Sequence, residues 1–483
     1  MTGDFFKNVA LARRSFLKTG LGLGSLALAQ LRQGNLYGAE TAVTIKSHGV
    51  ITAPQFPPTA KRIISIHMLG AVSQVDSFDY KPMLEKMQGQ EIPPSIRAKG
   101  RLSTMSAAQS SFPILKALRP FEQHGECGAW VSGLFPYTAK IVDNLCFIKT
   151  MRTDHVNHDP AAKFLHTGFQ LAGRPSDGAW VNYALGSENQ NLPAFVVFTS
   201  QGNPQGQSHD SSNWGAAFLP SQYQGVPFRA GKDPVLYVSD PPGVEAKDRR
   251  ALLNIMERLA NWQEERSNDP EIPSKISQYE MAYRMQTSVP EVADISNEPD
   301  HVLDMYGPDV RTPGTFARNC LLARRLAERD VRFISLFHAG WDHHTNILSG
   351  HPRDCKLVDQ PSAALVADLK QRGLLKDTLV FFGSEFGRTS FAQGVIDANV
   401  GRDHHGNNFT YWLAGGGVKA GHSYGETDDF SYNPVTPSVE VHDLHATMLY
   451  ILGIDHERLT YRSQGRDFRL TDVSGKVVKE VLA

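Results

Sequence analysis

The strongest constraint on the fold is a pattern that occurs twice. A helical stretch over 315–329 leads straight into a β-branched and aromatic run over 331–337. A second helical stretch, 362–372, feeds the apolar run 378–382 in the same way. Runs this short, apolar and uncharged read as strands buried on both faces. Further strand candidates stand at 62–67, 145–149, 195–198 and 235–238. A helical face recurs over 247–265, where Leu252, Leu253, Ile255, Met256, Leu259 and Trp262 fall together. Strands alternating with helices predict an α/β domain with a doubly wound, mainly parallel central sheet. Strand 62–67 is expected centrally, beside 331–337 and 378–382. No Pro-, Gly- or Ser-rich linker divides 61–483, which reads as a single domain behind a Pro-containing lead-in over 40–60. The segment 202–231 is polar and rich in Gly and Pro. A connection this long is seldom idle, so it is expected to lie over the site.

In open α/β sheets, ligands bind just beyond the carboxyl ends of the strands. Trp341-Asp342-His343-His344 follows the strand at 331–337, and Ser384-Glu385-Phe386-Gly387-Arg388 follows that at 378–382. Gly401-Arg402-Asp403-His404-His405-Gly406 comes shortly after, and His67 closes the first strand. Asp342, His344, Glu385, His404, His405 and His67 are therefore the candidate ligands of a divalent metal. Such a mixed imidazole–carboxylate set suits zinc, manganese or iron better than calcium. Asp342 and His344, two residues apart, share one side of an extended segment; the alternative is a polar loop capping a helix. His404 and His405 point opposite ways if extended. One of them is then a ligand, with His405 favoured, and the other orients its neighbour or meets substrate. Arg388 and Arg402 either hold an anionic group bidentately or form structural ion pairs with Asp403 or Glu385. His158 ligates the metal, attacks as a nucleophile, or caps the helix that Asp159-Pro160 begins. Asp76 reads as a supporting group and Ser73 as a helix cap. Gly415, Gly416 and Gly417 lack the following Lys-Ser/Thr of a phosphate loop and read as a strand-ending turn or a close backbone approach.

These segments also carry a family resemblance. Ile66-His67-Met68-Leu69-Gly70 with Ser73-Gln74-Val75-Asp76-Ser77-Phe78-Asp79, Gly340-Trp341-Asp342-His343-His344, Gly383-Ser384-Glu385-Phe386-Gly387-Arg388-Thr389, the run 401–406, Trp412-Leu413-Ala414-Gly415-Gly416-Gly417-Val418 and the tail 466–473 are similar to bacterial domain-of-unknown-function family 1501. The resemblance covers nearly the whole chain from residue 60 onward. That family resembles the alkaline phosphatase and sulfatase superfamily, which implies an alkaline phosphatase/sulfatase-like fold and a metal-centred site. His442-Asp443-Leu444-His445-Ala446-Thr447-Met448-Leu449 with Leu452-Gly453-Ile454 looks like a helix of sulfatase-type sequences. Where those carry an Asp-His or Asp-Asn ligand pair, this chain has Glu385 and Phe386. Where they carry a nucleophile and an arginine, it has His158 and Ala162, and His67 replaces the carboxylate usual at the first strand's end. The resemblance implies a metal-dependent hydrolase of sulfate or phosphate esters, acting on a small-molecule or glycan ester, with metal-activated water or His158 as nucleophile. The alternative is a non-catalytic sulfatase-like envelope protein that binds a metal or a carbohydrate.

Arg13-Arg14-Ser15-Phe16-Leu17-Lys18 ahead of the Gly-rich apolar run 21–31 has the form of a twin-arginine export signal. That run falls short of the about 20 apolar residues a membrane span needs. Residues 1–39 are read as a removed signal, with an uncleaved anchor helix as the other reading. The mature chain is then periplasmic or extracellular, with no stable membrane span. Residues 1–39 hold five basic and one acidic side chain, which leaves about −5 on the remainder of a chain of net charge −1. Neither nucleic acid nor an anionic membrane is indicated as partner. Cys127, Cys146, Cys320 and Cys355 lack metal-type spacing; after export they can pair, in an order that spacing does not decide. If the signal reading holds, changing both Arg13 and Arg14 to Lys will retain the protein in the cytoplasm on cell fractionation; unchanged export would remove it.

Overall fold

Strand Arg62–Leu69 (β1) is buried at every residue and sits in the middle of a nine-stranded sheet. The computed structural model describes residues 49–483 apart from 100, 101, 104, 202–209, 231–233, 236–242, 244, 268 and 270. The twin-arginine segment, and nearly all of the candidate strand 235–238, lie outside the described residues. The strands of the main sheet and of one antiparallel ribbon are then, in chain order, Leu145–Arg152 (β2), Phe195–Gln201 (β3), Val226–Phe228 (β4), Phe333–Ala339 (β5), Thr378–Gly383 (β6), Gly387–Gln393 (β7), Gly401–His405 (β8), Phe409–Ala414 (β9), His422–Tyr424 (β10) and Val439–Glu440 (β11); Phe121–His124 with Ala129–Ser132, and Tyr461–Ser463 with Arg466–Phe468, form two small hairpins apart from it. The sheet runs β10-β2-β9-β6-β1-β5-β3-β4, with β11 also on β2. β1 pairs in parallel with β5 and β6, so that His67 lies between Phe337 and Gly383. Within this sheet, and among the described residues, β9 alone is antiparallel to its neighbours. The mainly parallel α/β sheet and the central first strand are as the sequence predicts. β5 begins at Phe333, two residues late, because Val331 N still bonds Leu326 O as the chain leaves the preceding helix.

Alternate residues of β1 serve two cores. Ile64, Ile66 and Met68 pack with Leu321 of helix Phe316–Ala327 and with Val358 and Leu365 of helix Ile347–Gln371. Ile63 and Leu69 pack on the opposite face with Leu165, Val181 and Leu444, from helices His158–Thr167, Asp177–Leu185 and Val441–Ile451. Helices on both faces make the sheet doubly wound. His67 falls on the second face, toward His166 of helix His158–Thr167, 4.7 Å away between ring centroids.

Several expectations change. Helix Ile347–Gln371 runs through Pro352 and Pro361, where the sequence indicates helix only over 362–372. A proline inside a helix costs about 3 kcal/mol or more; burial of Cys355, Val358, Leu365, Val366 and Leu369 against the sheet offsets it. In helix Ala246–Ser267 the expected apolar face is largely open, with Leu252, Leu259 and Trp262 exposed and Leu253 buried. The later part of 202–231 is not all excursion, since β4 joins the sheet edge. Ser208 and His209 lie outside the described residues, while Asp210 bonds Lys163 of helix His158–Thr167 at 3.2 Å. Cys127 is exposed, the other three cysteines are buried, and all four are free. Gly415, Gly416 and Gly417 have φ of 68°, 57° and 85°, and a Cβ on Gly415 would stand 2.2 Å from Leu375 O, so turn and close approach coincide. Among the described residues, no helix is long and apolar enough to cross a membrane. By contact the chain divides into two units, 47–239 with 260–483, and 1–46 with 240–259. The described part of the second is 243 and 245–259, mostly the N-terminal portion of helix Ala246–Ser267.

Helix Ile347–Gln371 presents Asp359 to the N–H groups of Tyr137 and Thr138 at 2.7 and 2.8 Å and to the Thr138 hydroxyl at 2.7 Å. Burial lifts its carboxyl from the usual 3.8 to about 6, against the pull of those hydrogen bonds. Between these values the folded chain holds a proton that the unfolded chain lacks, so this group adds stability as pH falls through the window. Two pKa units correspond to about 3 kcal/mol. Asp359→Asn is expected to flatten the pH dependence of the urea-unfolding free energy between about pH 4 and 6; an unaltered slope would mean that Asp359 titrates normally.

Candidate metal centre

β1, β5 and β6 end side by side, and the residues just past those ends meet. The chain turns at Gly70, where φ is 107° and a Cβ would stand 2.6 Å from Asp342 N. Only glycine permits that approach. Asp342 and His344 lie on the segment after β5, Glu385 on the turn after β6, and His158 at the first turn of helix His158–Thr167. The remaining contribution comes from an antiparallel ribbon outside the main sheet, β7 with β8. Its register shifts between Arg402 and His404. A bulge of this kind re-aims the side chain beside it, and His404 is the one turned to the centre.

Ligand atoms of His158, Asp342, His344 and His404 lie within 4.8 Å of one another. Asp342 Oδ1 is 2.9 Å from His344 Nε2, 3.1 Å from His158 Nε2 and 3.2 Å from His404 Nε2. The Nε2 atoms of His344 and His404 are 2.8 Å apart. Each imidazole has its other nitrogen against an acceptor. His158 Nδ1 meets Glu385 Oε1 at 2.5 Å, His344 Nδ1 meets Gln393 Oε1 at 2.5 Å, and His404 Nδ1 meets the Val156 carbonyl at 2.6 Å. Those oxygens can only accept, so Nδ1 carries the proton in each ring and Nε2 of the neutral ring is a bare lone pair. His158 Nε2 is buried and makes no hydrogen bond. Three lone pairs and a carboxylate oxygen at these spacings repel one another unless a proton or a cation stands among them. For bonds of about 2.0–2.2 Å to a cation, neighbouring donors are about 2.8–3.1 Å apart in an octahedron and about 3.3–3.6 Å apart in a tetrahedron; spacings of 2.8–3.2 Å stand close to the octahedral edge.

The electrostatics point the same way. Burial would push Asp342 up, yet the approach of His158, His344 and His404 and the Arg388 charge hold it well below the usual carboxylate range. Glu385 is buried and is likewise held far down, by His158 and His67. Burial lowers His404 to about 4 against the pull of Asp342. Burial also opposes the charged form of His158, but Asp342 and Glu385 raise it above its ordinary value.

The sequence-predicted residues divide as follows. Asp342, His344 and His404 converge, and His158 joins them as a potential ligand at the helix start. Glu385 stands behind His158 and is not among the four converging groups. His67 lies deeper, its Nε2 3.5 Å from Glu385 Oε2. The preference for His405 is reversed: its Nε2 faces the Tyr432 carbonyl at 2.7 Å and its ring packs on Tyr432. Arg402 is fully buried and pairs bidentately with Asp76 at 2.8 and 3.1 Å, not with Asp403 or Glu385. Its remaining donors go to the carbonyls of Thr389, Leu115 and Lys116. Arg388 donates to Asp342 Oδ1 at 2.6 Å and to the carbonyls of Gly70, Trp341 and Arg402. Ser73 stands at the N-cap of the short 3-10 helix Gln74–Asp76, but its hydroxyl bonds the Asp76 carboxylate at 2.5 Å and not a backbone N–H. Sequence reasoning missed Gln393, Val156 and the part of Phe386, which packs against the His158 and His404 rings at 4.8 and 4.6 Å. A backbone carbonyl and a strand-end glutamine carry no sequence signal. Phe386 was passed over because it cannot ligate.

Residues 60–482 match the family described as "Protein of unknown function (DUF1501)", and the chain belongs to that family. No curated protein matches it. Among solved structures it is similar to Ps i-CgsB, at 11% identity over 82% of this chain and 72% of that one, with a TM-score of 0.36. It is also similar to the PsFucS1 sulfatase from Pseudoalteromonas sp., at 12% identity over 82% and 68%, TM-score 0.32. A third is the alkaline phosphatase from the Antarctic bacterium TAB5, at 12% identity over 76% and 94%, TM-score 0.29.

Gly401 tests the geometry. A Cβ there would lie 2.0 Å from the carbonyl carbon of His344. Gly401→Ala is expected to displace His344 and to weaken zinc binding by on the order of 10–100-fold, the range for disturbed ligand support. Competition with a chromogenic chelator measures it; unchanged affinity would remove His344 from the ligand set.

Proposed function

We propose that this is an exported, metal-dependent hydrolase of sulfate or phosphate esters that uses water as the attacking group. The convergence of three preset imidazole Nε2 atoms on Asp342 Oδ1 is the observation that carries the reading. His158, Asp342, His344 and His404 would hold the cation, with zinc, manganese or iron favoured by the donor set. A divalent cation there supplies Lewis acidity, polarising an ester oxygen and making hydroxide available near neutral pH. Arg388, 2.6 Å from Asp342, adds positive charge beside the centre and favours an anionic ester. Phe386 packs an apolar ring against those of His158 and His404. His158 is poorly placed as a nucleophile, since its Nε2, the nitrogen not held by Glu385, faces Asp342 Oδ1 at 3.1 Å. Water attack avoids any need for a protein nucleophile. Export rests on the Arg13-Arg14 segment. The substrate is read as a small-molecule or glycan ester.

A second reading, a metal-binding envelope protein without catalysis, draws on one observation. Arg388 and Arg402 spend their donors on protein acceptors, so neither is placed to clamp a substrate anion.

Metal analysis of the purified protein, followed by a screen of aryl sulfates and aryl phosphates, separates the two. The hydrolase reading expects about one divalent ion per chain and ester hydrolysis that Asp342→Ala and His344→Ala reduce to background. Metal bound without hydrolysis of any ester would favour the binding protein. Variants that keep both metal content and hydrolysis would make the cluster structural.

A further inference from the structure

Glu385 stands where a ligand is expected, on the turn just past β6, yet it is not among the four converging groups. The residue is fully buried. Oε1 accepts the Gly70 N–H at 2.8 Å and the His158 Nδ1–H at 2.5 Å. Oε2 has no hydrogen bond and lies 3.5 Å from His67 Nε2. The other two rings of the centre rest on neutral acceptors, the Gln393 amide and the Val156 carbonyl. His158 is thus the one ring of the three with a carboxylate at hydrogen-bond distance from Nδ1; Asp403 Oδ1 stands 3.9 Å from His344 Nδ1.

We propose that Glu385 is a positioning residue that acts on the metal centre through His158, fixing the ring with Nε2 turned to Asp342 and making it the strongest of the three nitrogen donors. The proposal rests on the metal-centre reading above. A carboxylate behind an imidazole sets its tautomer and raises its basicity, and losing such a partner typically costs 10–100-fold in metal affinity. Gln at this position keeps an oxygen acceptor for both N–H groups but loses the charge.

The test is a zinc titration of the full chain against a competing chelator, for the wild type, Glu385→Gln, Glu385→Ala, His158→Ala and the His158→Ala/Glu385→Ala pair. The wild type is expected to bind one zinc. Glu385→Gln is expected to weaken it about tenfold and Glu385→Ala up to about 100-fold, each with the stoichiometry kept. In the His158→Ala background, removing Glu385 should change affinity by no more than about twofold, because a group acting only through His158 has nothing left to act on. A further large loss there would make Glu385 an independent ligand and overturn the proposal. Wild-type affinity in Glu385→Ala would overturn it while leaving the metal reading intact, and a wild type that binds no zinc would end both. Ring ¹⁵N shifts of His158 in the metal-free protein, followed upward in pH until the ring has lost its second proton, give a readout independent of metal. The Nδ1–H tautomer is expected in the wild type and a mixture in Glu385→Ala. The same tautomer in both would overturn the proposal.

Discussion

The centre depends on one buried guanidinium. Arg388 is almost wholly removed from water, and a charge so placed must be met by acceptors on every side. The acceptors it finds are the carbonyls of Gly70, Trp341 and Arg402 and the carboxylate of Asp342. These belong to the ends of β1 and β5 and to the ribbon strand β8. One side chain therefore draws three separate chain segments to a common point. Removing it would leave Asp342 beside three imidazoles with no fixed countercharge and three carbonyls with one partner fewer.

Arg402 does the matching task one layer back. Its bidentate pair with Asp76, together with three carbonyl contacts, ties β8 to the turn that follows β1. The two arginines occupy adjacent tiers of the same ribbon, since Arg388 of β7 lies opposite His404 and Arg402 opposite Ala392. The first orients Asp342 among the three imidazoles; the second holds the ribbon that delivers His404. Their rigidity suits a site whose donor atoms must stand within a few tenths of an ångström of fixed positions.

The parallel core was legible because its strands carry few charges and its helices feed them directly, as at 331–337 and 378–382. The ribbon was harder to read. β7 and β8 contain Arg388, Arg402, Asp403 and His404, and no periodicity marks such residues as a strand. Their burial is explained by mutual pairing, which only the folded chain shows. The choice between His404 and His405 hinged on a register shift that single-sequence reasoning cannot see. Asp342 and His344 were legible from their spacing past a strand. Gln393 and the Val156 carbonyl, which set two of the rings, were not, because an acceptor for Nδ1–H can come from any residue. The helix through Pro352 and Pro361 shows burial overriding a local signal, and the open face at Leu252, Leu259 and Trp262 shows an apolar stripe that periodicity alone assigns to a core.

The central place of β1 has a consequence for how the chain acquires its structure. Ile63 pairs with Phe333, 270 residues later, and with Leu379 beyond that. A strand apolar on both faces thus waits for most of the polypeptide before either edge is satisfied. Contacts of such long sequence separation make folding slow and leave adhesive edges open meanwhile. Any interruption of synthesis before β6 leaves the middle of the sheet without one of its neighbours, so a truncated product is a substrate for chaperones and proteases and not a smaller version of the protein.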